Sequence, residues 1–291
     1  MDQQKLMEYA TIVAKLKMYP YFDIANYILM CIIVREDNHP QPGSGNNSPL
    51  FSRKHPLACW VASMVLCFAG SILGNFLVGE PVITPFKNHT DLLTATAVWY
   101  CINYSPFDII YKMTKFSPIK WVVMCAKEVQ RVHKIHHGVA YAFKAYPGAY
   151  VVIVILGVVK GAGSSLMRPV ARLAAGIWKP HDKTEWLSPS FATKSSVVAS
   201  IVFLCERLNM IPQLPHPTLY FTVVLFFIYF RLSALIVDIQ DPFAPFENLF
   251  CNIFMGGVWD ALKKATTKTD KKEDSKQYAK ADKPKEDKKN D

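Results

Sequence analysis

The sequence predicts an all-α polytopic membrane protein: seven transmembrane helices arranged as an inverted 3+3 repeat plus one extra helix, with a disordered C-terminal tail. Three observations carry that reading. Hydrophobic residues fill 51% of the 291 positions and charged residues only 19%, against about 25% charged in a soluble chain. The charge is unevenly placed, because residues 261–291 alone hold eleven Lys and seven acidic residues. The rest falls into apolar runs close to the ~20 residues that cross the hydrocarbon as a helix. A simple soluble enzyme is excluded, and so are most nucleic-acid readers, whose basic residues line one face of a folded domain.

The spans follow in order. The first covers 18–34, between Lys17 and Arg35, and the second 57–79, after His55-Pro56. The third is 91–111, with Asp108 near its end. The fourth, 119–137, is apolar only up to Ala126, because Lys127, Glu128, Arg131, His133 and Lys134 occupy its second half. The fifth covers 148–169, the sixth 191–210 and the seventh 217–238. Residues 36–56 are rich in Pro, Gly, Asn and Ser and read as a flexible loop; residues 168–190 read as an interfacial stretch. The aromatic segment 243–262 suits an amphipathic helix on the membrane surface, and the Lys-rich tail suits disorder. The units are therefore 1–17 as an N-terminal lumenal segment, 18–111 and 112–210 as two three-helix repeats, 211–240 as the seventh helix, 241–260 as a juxtamembrane segment and 261–291 as a cytosolic tail.

Orientation comes from Lys and Arg near the span ends. With the tail in the cytosol, the cytosolic loops carry Arg35, Arg53 and Lys54, then Lys112, Lys115 and Lys120, then Arg168, Arg172, Lys179 and Lys183. The opposite loops carry Lys87 and Lys144, and only Lys5, Lys15 and Lys17 dissent. Dropping the fourth span would scramble this asymmetry, so it is kept. The first 17 residues hold no long apolar core or small-residue cleavage site, so the first span acts as the signal. Lys288 and Lys289 match a dilysine retrieval address for the endoplasmic reticulum. Asn88-His89-Thr90 is a glycosylation sequon close to the membrane. The seven cysteines are odd in number, form no CxxC pair and read as buried free thiols.

Spans two and five share features that suggest duplication. Tyr146-Pro147 precedes the fifth as His55-Pro56 precedes the second. Gly70 and Gly74 form one GxxxG pair, Gly157 and Gly161 another, and Ala69-Gly70-Ser71 resembles Ala162-Gly163-Ser164. A duplicated unit of three spans is inverted by necessity. Inverted repeats with glycine-interrupted helices are a transport architecture, although a GxxxG pair alone serves ordinary helix packing.

The charges inside the membrane narrow the chemistry. Lys120, Lys127, Arg131 and Lys134 are spaced by seven, four and three residues and form one stripe on the fourth helix. Glu128 lies about 100° from Lys127 around the helix and is insufficient to neutralise the stripe. Each uncompensated charge costs about 3 kcal/mol at the bilayer centre. The stripe therefore faces an aqueous anion path, or holds a phosphorylated lipid headgroup, or snorkels as a helix end. Lys160 is a second embedded cation, next to Gly161 and Gly163. Asp23 and Asp108 are embedded acids that pair with these cations or attract permeant ones. Arg231 and Asp238 read as packing or snorkelling residues, and His133, His136 and His137 have no carboxylate or thiol at ligand spacing to complete a metal site. No Gly-rich phosphate loop or catalytic triad spacing supports an enzyme.

In order along the chain stand Phe22-Asp23-Ile24, Cys67-Phe68 with Gly70, Gly79-Glu80-Pro81, Asn88-His89-Thr90, Val98-Trp99-Tyr100, Lys127-Glu128-Val129 with Arg131, Lys160-Gly161-Ala162-Gly163, Trp178-Lys179-Pro180 and Phe243-Ala244-Pro245-Phe246-Glu247. This ordered set resembles the trimeric intracellular cation channels (TRIC), more like the B type. The resemblance implies seven spans as an inverted repeat plus one helix, a homotrimer with a pore in each protomer, and conduction of K+ and other monovalent cations. It also implies the endoplasmic or sarcoplasmic reticulum membrane, or the nuclear membrane, with counter-ion current during calcium release. A phosphoinositide, phosphatidylinositol 4,5-bisphosphate, is implied at Lys127, Arg131 and Lys134 with Gly70 and Gly74. Lys160, Gly161, Gly163, Asp23 and Asp108 then belong to the pore and its hinges. The second-span cluster Ala69-Gly70-Ser71 departs from the family's run of glycines, and the first loop is longer. Neither nucleic acid nor metal is implied as a partner.

Other classes fit less well. A 3+3 solute carrier is the runner-up, but in the seven-span sugar carriers the unmatched helix is central, whereas here it is the seventh. A seven-span receptor leaves the repeat unexplained. A lipid-binding scaffold would share the cationic stripe and conduct nothing.

Overall fold

The computed structural model describes residues 3–38, 51–178, 185, 188–212, 214–236, 243, 249–250 and 252–254. The regular structure there is helical: α1 (Gln3–Ala14), α2 (Tyr21–Asp37), α3 (Phe51–Lys54), α4 (Pro56–Cys67), α5 (Ala69–Val78), α6 (His89–Tyr104), α7 (Ile109–Lys115), α8 (Ser117–Ala145), α9 (Tyr150–Leu166), α10 (Arg168–Ala174), α11 (Phe191–Arg207) and α12 (His216–Ile236). These belong to the unit Met1–Asp241. In the unit Pro242–Asp291 residues 249–250 and 252–254 are helical, with the Phe250 and Phe254 rings 4.7 Å apart. Most of the 36–56 loop, Lys179, Lys183, Asp238, Cys251, the rest of the aromatic segment and the whole tail with its dilysine fall outside the described residues.

Local chemistry sets the boundaries. Pro56 opens α4, and Pro118 stands in the first turn of α8, where a missing N–H costs nothing. Gly79, left-handed at φ 81°, closes α5, and the Glu80 N–H returns to the Asn75 carbonyl at 2.9 Å, a glycine C-cap. Asn88 caps α6: its side-chain oxygen accepts from the Thr90 N–H at 3.2 Å and its amide donates to Asp91 at 2.8 Å. The sequon asparagine is thus tied into a helix start.

Two helices, Tyr150–Ala174 and His216–Ile236, are long and apolar enough to cross a membrane. The α4–α5 pair qualifies jointly but bends by 67° at its break. Helices α2, α6 and α11 have 17, 16 and 17 residues. Helix α8 is 29 residues long and continues to Ala145, well past the expected 137. Its polar second half lowers hydropathy without weakening helix formation, because Lys, Glu, Gln and Arg are good helix formers.

The expected third span divides. Helix α6 stops at Tyr104 because Pro106 disfavours a helical Ser105, which is extended at φ −62°, ψ 141°. Phe107 and Asp108 turn left-handed at φ 53° and 55° before α7 sets off. The N-terminal segment contributes α1, which packs on α12. The expected glycine interruptions also move. Span two breaks at Phe68, just before Gly70, and α9 runs unbroken through Gly157, Gly161 and Gly163 until Leu166. A mid-helix glycine costs only about 1 kcal/mol, and here each glycine lets another element approach.

Two apolar cores result. Helices α2, α4 and α6 share one with part of α10; α8, α9 and α11 share the other with α12. The halves meet where α2 packs on α8, α5 on α9 and α10 on α4. At the α5–α9 crossing a Cβ on Gly163 would lie 2.4 Å from the Gly70 Cα, and one on Gly70 would lie 2.6 Å from the Lys160 carbonyl oxygen. Only hydrogen fits at both positions. This contact brings the backbone carrying Lys160 against the bend of span two.

Candidate functional site: a cationic cavity and its constriction

Helix α8 supplies the site's spine. Its stripe faces a cavity of about 500 Å³ whose wall includes Lys120, Lys127, Glu128 and Arg131 from α8, with Met30 and Glu36 from α2. Thr114 and Lys115 from α7, Ser164, Arg168 and Arg231 complete much of the rest. An adjoining cleft of only about 20 Å³ is bounded by Asn26, Cys67, Gly70, Gln130, Lys134, Lys160 and Gly161. Leu66, Lys127, Arg131 and Ser164 belong to both walls, so the wide chamber narrows directly into the constriction. A volume of about 20 Å³ holds one water.

The cations differ in how they are satisfied. Arg131 donates to Glu128 at 2.7 Å, with side chains only 8% and 2% exposed, and Arg231 stands 3.9 Å from the other Glu128 oxygen. Glu128 is about 100° from Lys127 around the helix but only about 60° from Arg131, so it serves the arginine. Glu128 thus pairs with Arg131 and leaves Lys127 and Lys134 uncompensated, as the spacing predicts; Arg231, read from the sequence as a packing or snorkelling residue, lines the cavity. Among the described residues, Lys127, Lys134 and Lys160 have no carboxylate within 4.0 Å; the polar contact of Lys127 is the Met30 thioether at 3.6 Å. The Nε of Arg131 and that of Arg231 have no hydrogen-bond acceptor among the described residues. Charge without a partner is costly inside a membrane protein, and Lys115, Lys120, Lys127, Arg131, Lys134, Lys160, Arg168 and Arg231 against Glu36, Glu128 and Glu185 leave the two walls strongly positive.

The glycines of the site act by absence. A Cβ on Gly74 would lie 2.7 Å from the Lys160 Cε, and one on Gly138 would lie 2.9 Å from its Cγ. The two open a slot for the Lys160 stem, with its ammonium beside Gly74. Gly161 does the same for Ile135.

Asp23, in the first turn of α2, accepts a hydrogen bond from Gln130. Asp108 lies apart from the constriction. It pairs with Arg35 at 2.9 Å, while Arg35 also donates to the Ile102 carbonyl at 2.5 Å and covers the Tyr111 ring at 4.0 Å. The expectation that Asp108 belongs with Lys160 and the pore glycines is therefore corrected: Pro106 ends α6 early and turns Asp108 back onto α2. The rim of the chamber is held by Lys115 with Glu36 at 3.0 Å and by a bidentate Arg168–Asp37 pair at 2.9 and 2.5 Å. Contact with the Tyr111 hydroxyl and then with Glu36 raises Lys115 above the ordinary lysine range, so it stays protonated at neutral pH.

Sequence reasoning missed Asn26, Gln130, Ser164 and Arg168. Gln130 was within reach, because three residues past Lys127 it lies near the stripe. Asn26 and Ser164 carry no charge and give no signal. His133, His136 and His137 gather with His216 in ring contacts, and no group of three metal-ligating side chains occurs among the described residues.

Comparison with known proteins places this geometry. A family model described as TRIC channel matches residues 45–238. The chain is 50% identical over 265 residues to trimeric intracellular cation channel type 1B.1 of Caenorhabditis elegans, covering 91% of this chain and 88% of that one. A solved trimeric intracellular cation channel from C. elegans without Ca2+ superposes with TM-score 0.74 at 46% identity, covering 83% of this chain and 100% of the other. Another, described as the structural basis for activity of TRIC counter-ion channels in calcium release, gives 0.71 at 28% identity, with coverages of 79% and 99%. Half-identity along nine-tenths of the chain, with matching architecture, leaves one conclusion: this membrane protein belongs to the TRIC family of cation channels.

Proposed function

We propose that the chain conducts monovalent cations, K+ foremost, across the endoplasmic or sarcoplasmic reticulum membrane and so supplies counter-ion current during calcium release. Each subunit of a homotrimer carries its own path, from the chamber through the constriction. The headgroup of phosphatidylinositol 4,5-bisphosphate sits against Lys127, Arg131 and Lys134, beside Gly70 and Gly74. Lys160, Gly161, Gly163 and Asp23 line or shape the narrow part. The observation that carries this reading is the set of half-buried lysines, Lys127, Lys134 and Lys160, without carboxylate partners among the described residues, beside a polar cavity. Bare, such a set repels cations strongly in a low-dielectric site. Phosphate groups supply the missing negative charge through charge-assisted hydrogen bonds, and cations then pass.

The wider architecture follows the same proposal. Seven spans form two inverted three-helix units plus α12. The crossed pairing supports it: the first half of span two meets the second half of span five, the second half meets the first, and α2 meets α8, as an in-plane two-fold axis requires. The chamber then opens to the cytosol, where the positive-inside asymmetry puts Lys115, Lys120 and Arg168. A planar bilayer with a K+ gradient tests the function. A reversal potential near that of K+ supports it; one near the anion's, or no current, refutes it.

A further inference from the structure

Behind the Arg35 corner lies a second polar cluster, which shares no wall residue with the chamber or the constriction. Arg35 of α2, Phe51 and Ser52 of α3, Cys59 of α4 and Asn103 of α6, with Asn38, enclose a cavity of about 10 Å³. Arg35, Ser52 and Asn103 are 6%, 4% and 1% exposed. Each brings a polar atom that has no hydrogen-bond partner among the described residues: the Arg35 Nε, the Ser52 Oγ and the Asn103 Oδ1. A buried polar group without a partner is rare and costly. Three of them around one small cavity point to a shared partner inside it.

The chemistry of the three atoms says what that partner is. Arg35 gives one Nη to the Ile102 carbonyl at 2.5 Å and the other to Asp108 at 2.9 Å, so its Nε–H remains. A guanidinium only donates. The Asn103 amide has a fixed direction, because its Nδ2 donates to the Trp99 carbonyl at 3.0 Å. Its Oδ1 therefore accepts. The Ser52 hydroxyl does either, and the Ser52 carbonyl, held by the Tyr104 hydroxyl at 2.7 Å, keeps α3 against α6. The occupant must accept from Arg35 and donate to Asn103. A metal cation has no lone pair for the first task and faces a guanidinium. A halide has no proton for the second. Water does both, and about 10 Å³ with two to four polar partners suits a single molecule of it.

We propose that this cavity is the binding site of one structural water, held by the Arg35 Nε, the Asn103 Oδ1 and the Ser52 Oγ, which joins α2, α3 and α6 behind the Phe107–Asp108 corner. The water completes the shell of Arg35, whose other partners are a carboxylate, a carbonyl and the Tyr111 ring. It also anchors α3. A helix of four residues is too short to stand on its own hydrogen bonds, and the water ties its Ser52 to two longer helices at once.

Two measurements on the full-length protein in lipid nanodiscs test the proposal. A density map fine enough to resolve ordered water should show one peak within about 3.2 Å of all three atoms. X-ray hydroxyl-radical footprinting reads the same site chemically, because radicals form at bound water and label the side chains beside it. Cys59 borders the cavity and is 1% exposed; Cys31, 0% exposed, does not border it and is the control. In the wild type Cys59 should be oxidised faster than Cys31. In Asn103→Leu, which removes the acceptor and fills the space, its labelling should fall to the level of Cys31. Empty density between the three atoms overturns the proposal, as does wild-type Cys59 labelling no faster than that of Cys31. A peak that scatters anomalously after bromide or rubidium exchange also overturns it, since the occupant is then an ion, and so does unchanged Cys59 labelling in folded Asn103→Leu. Should that variant fail to fold, the wild-type map and the wild-type comparison of the two thiols decide alone. Neither measurement depends on whether the protein conducts.

Discussion

Arg35 and Lys127 are both cations set among apolar helices, and the molecule treats them in opposite ways. Arg35, 4% exposed at its side chain, has an acid, a backbone carbonyl and an aromatic face. Lys127 has a thioether and a cavity. The first arrangement holds a turn: it fixes the left-handed Phe107–Asp108 corner between α6 and α7. The second has charge left over, and a helix does not keep uncompensated charge in hydrocarbon without something to meet it. Satisfied cations thus mark the scaffold, and unsatisfied cations mark the site.

Substitutions sharpen that contrast, the largest effect first. Lys127→Met with Arg131→Met should weaken phosphoinositide binding by about 3 kcal/mol or more, since each charged hydrogen bond contributes ~1.5 to 3 kcal/mol. Lys127→Met alone should shift thermal stability far less, because Lys127 has no carboxylate partner to lose; native mass spectrometry and a melting curve in detergent read the two quantities. Asp108→Asn should do the reverse. Asn tolerates the left-handed backbone, so the change isolates the charge. Leaving Arg35 without its acid should cost about 3 kcal/mol of stability, with lipid binding unchanged. Gly70→Ala should cost about 2 kcal/mol, the range for overpacking against unyielding atoms, and the melting curve would show it. Glu128→Gln should strengthen phosphoinositide binding by about 1 kcal/mol, because it frees Arg131 and Arg231 for phosphate. Weaker binding in that variant would mean the carboxylate orients the arginines more than it neutralises them.

The sequence carried the periodic and charged parts of this structure and hid the irregular ones. The stripe on α8 was legible because seven, four and three are helical spacings; Lys120, Lys127 and Arg131 line the chamber, and Lys127, Arg131 and Lys134 line the constriction. Glu128 pairs with Arg131, about 60° away around the helix, and leaves Lys127 and Lys134 unneutralised, as its spacing from the stripe predicts. Asp108 was misplaced because a hydropathy run does not register that Pro106 ends a helix two residues before the acid. Of the two readings of the glycines, close packing is the one seen: a Cβ on Gly70, Gly74 or Gly163 would come within 3 Å of a facing backbone or a lysine stem, and which atoms face them is a tertiary fact no local pattern encodes. The helix break fell instead at Phe68, which no turn chemistry announces.

The central claim is that a lipid's phosphates balance the lysines of the constriction and so let cations through. The reversal potential of purified channel under a KCl gradient, in bilayers with and without phosphatidylinositol 4,5-bisphosphate, tests it most directly. With the lipid the potential should approach that of K+; after its removal it should swing toward chloride or the current should vanish. An unchanged K+ reversal potential in a membrane free of phosphoinositide would contradict the account.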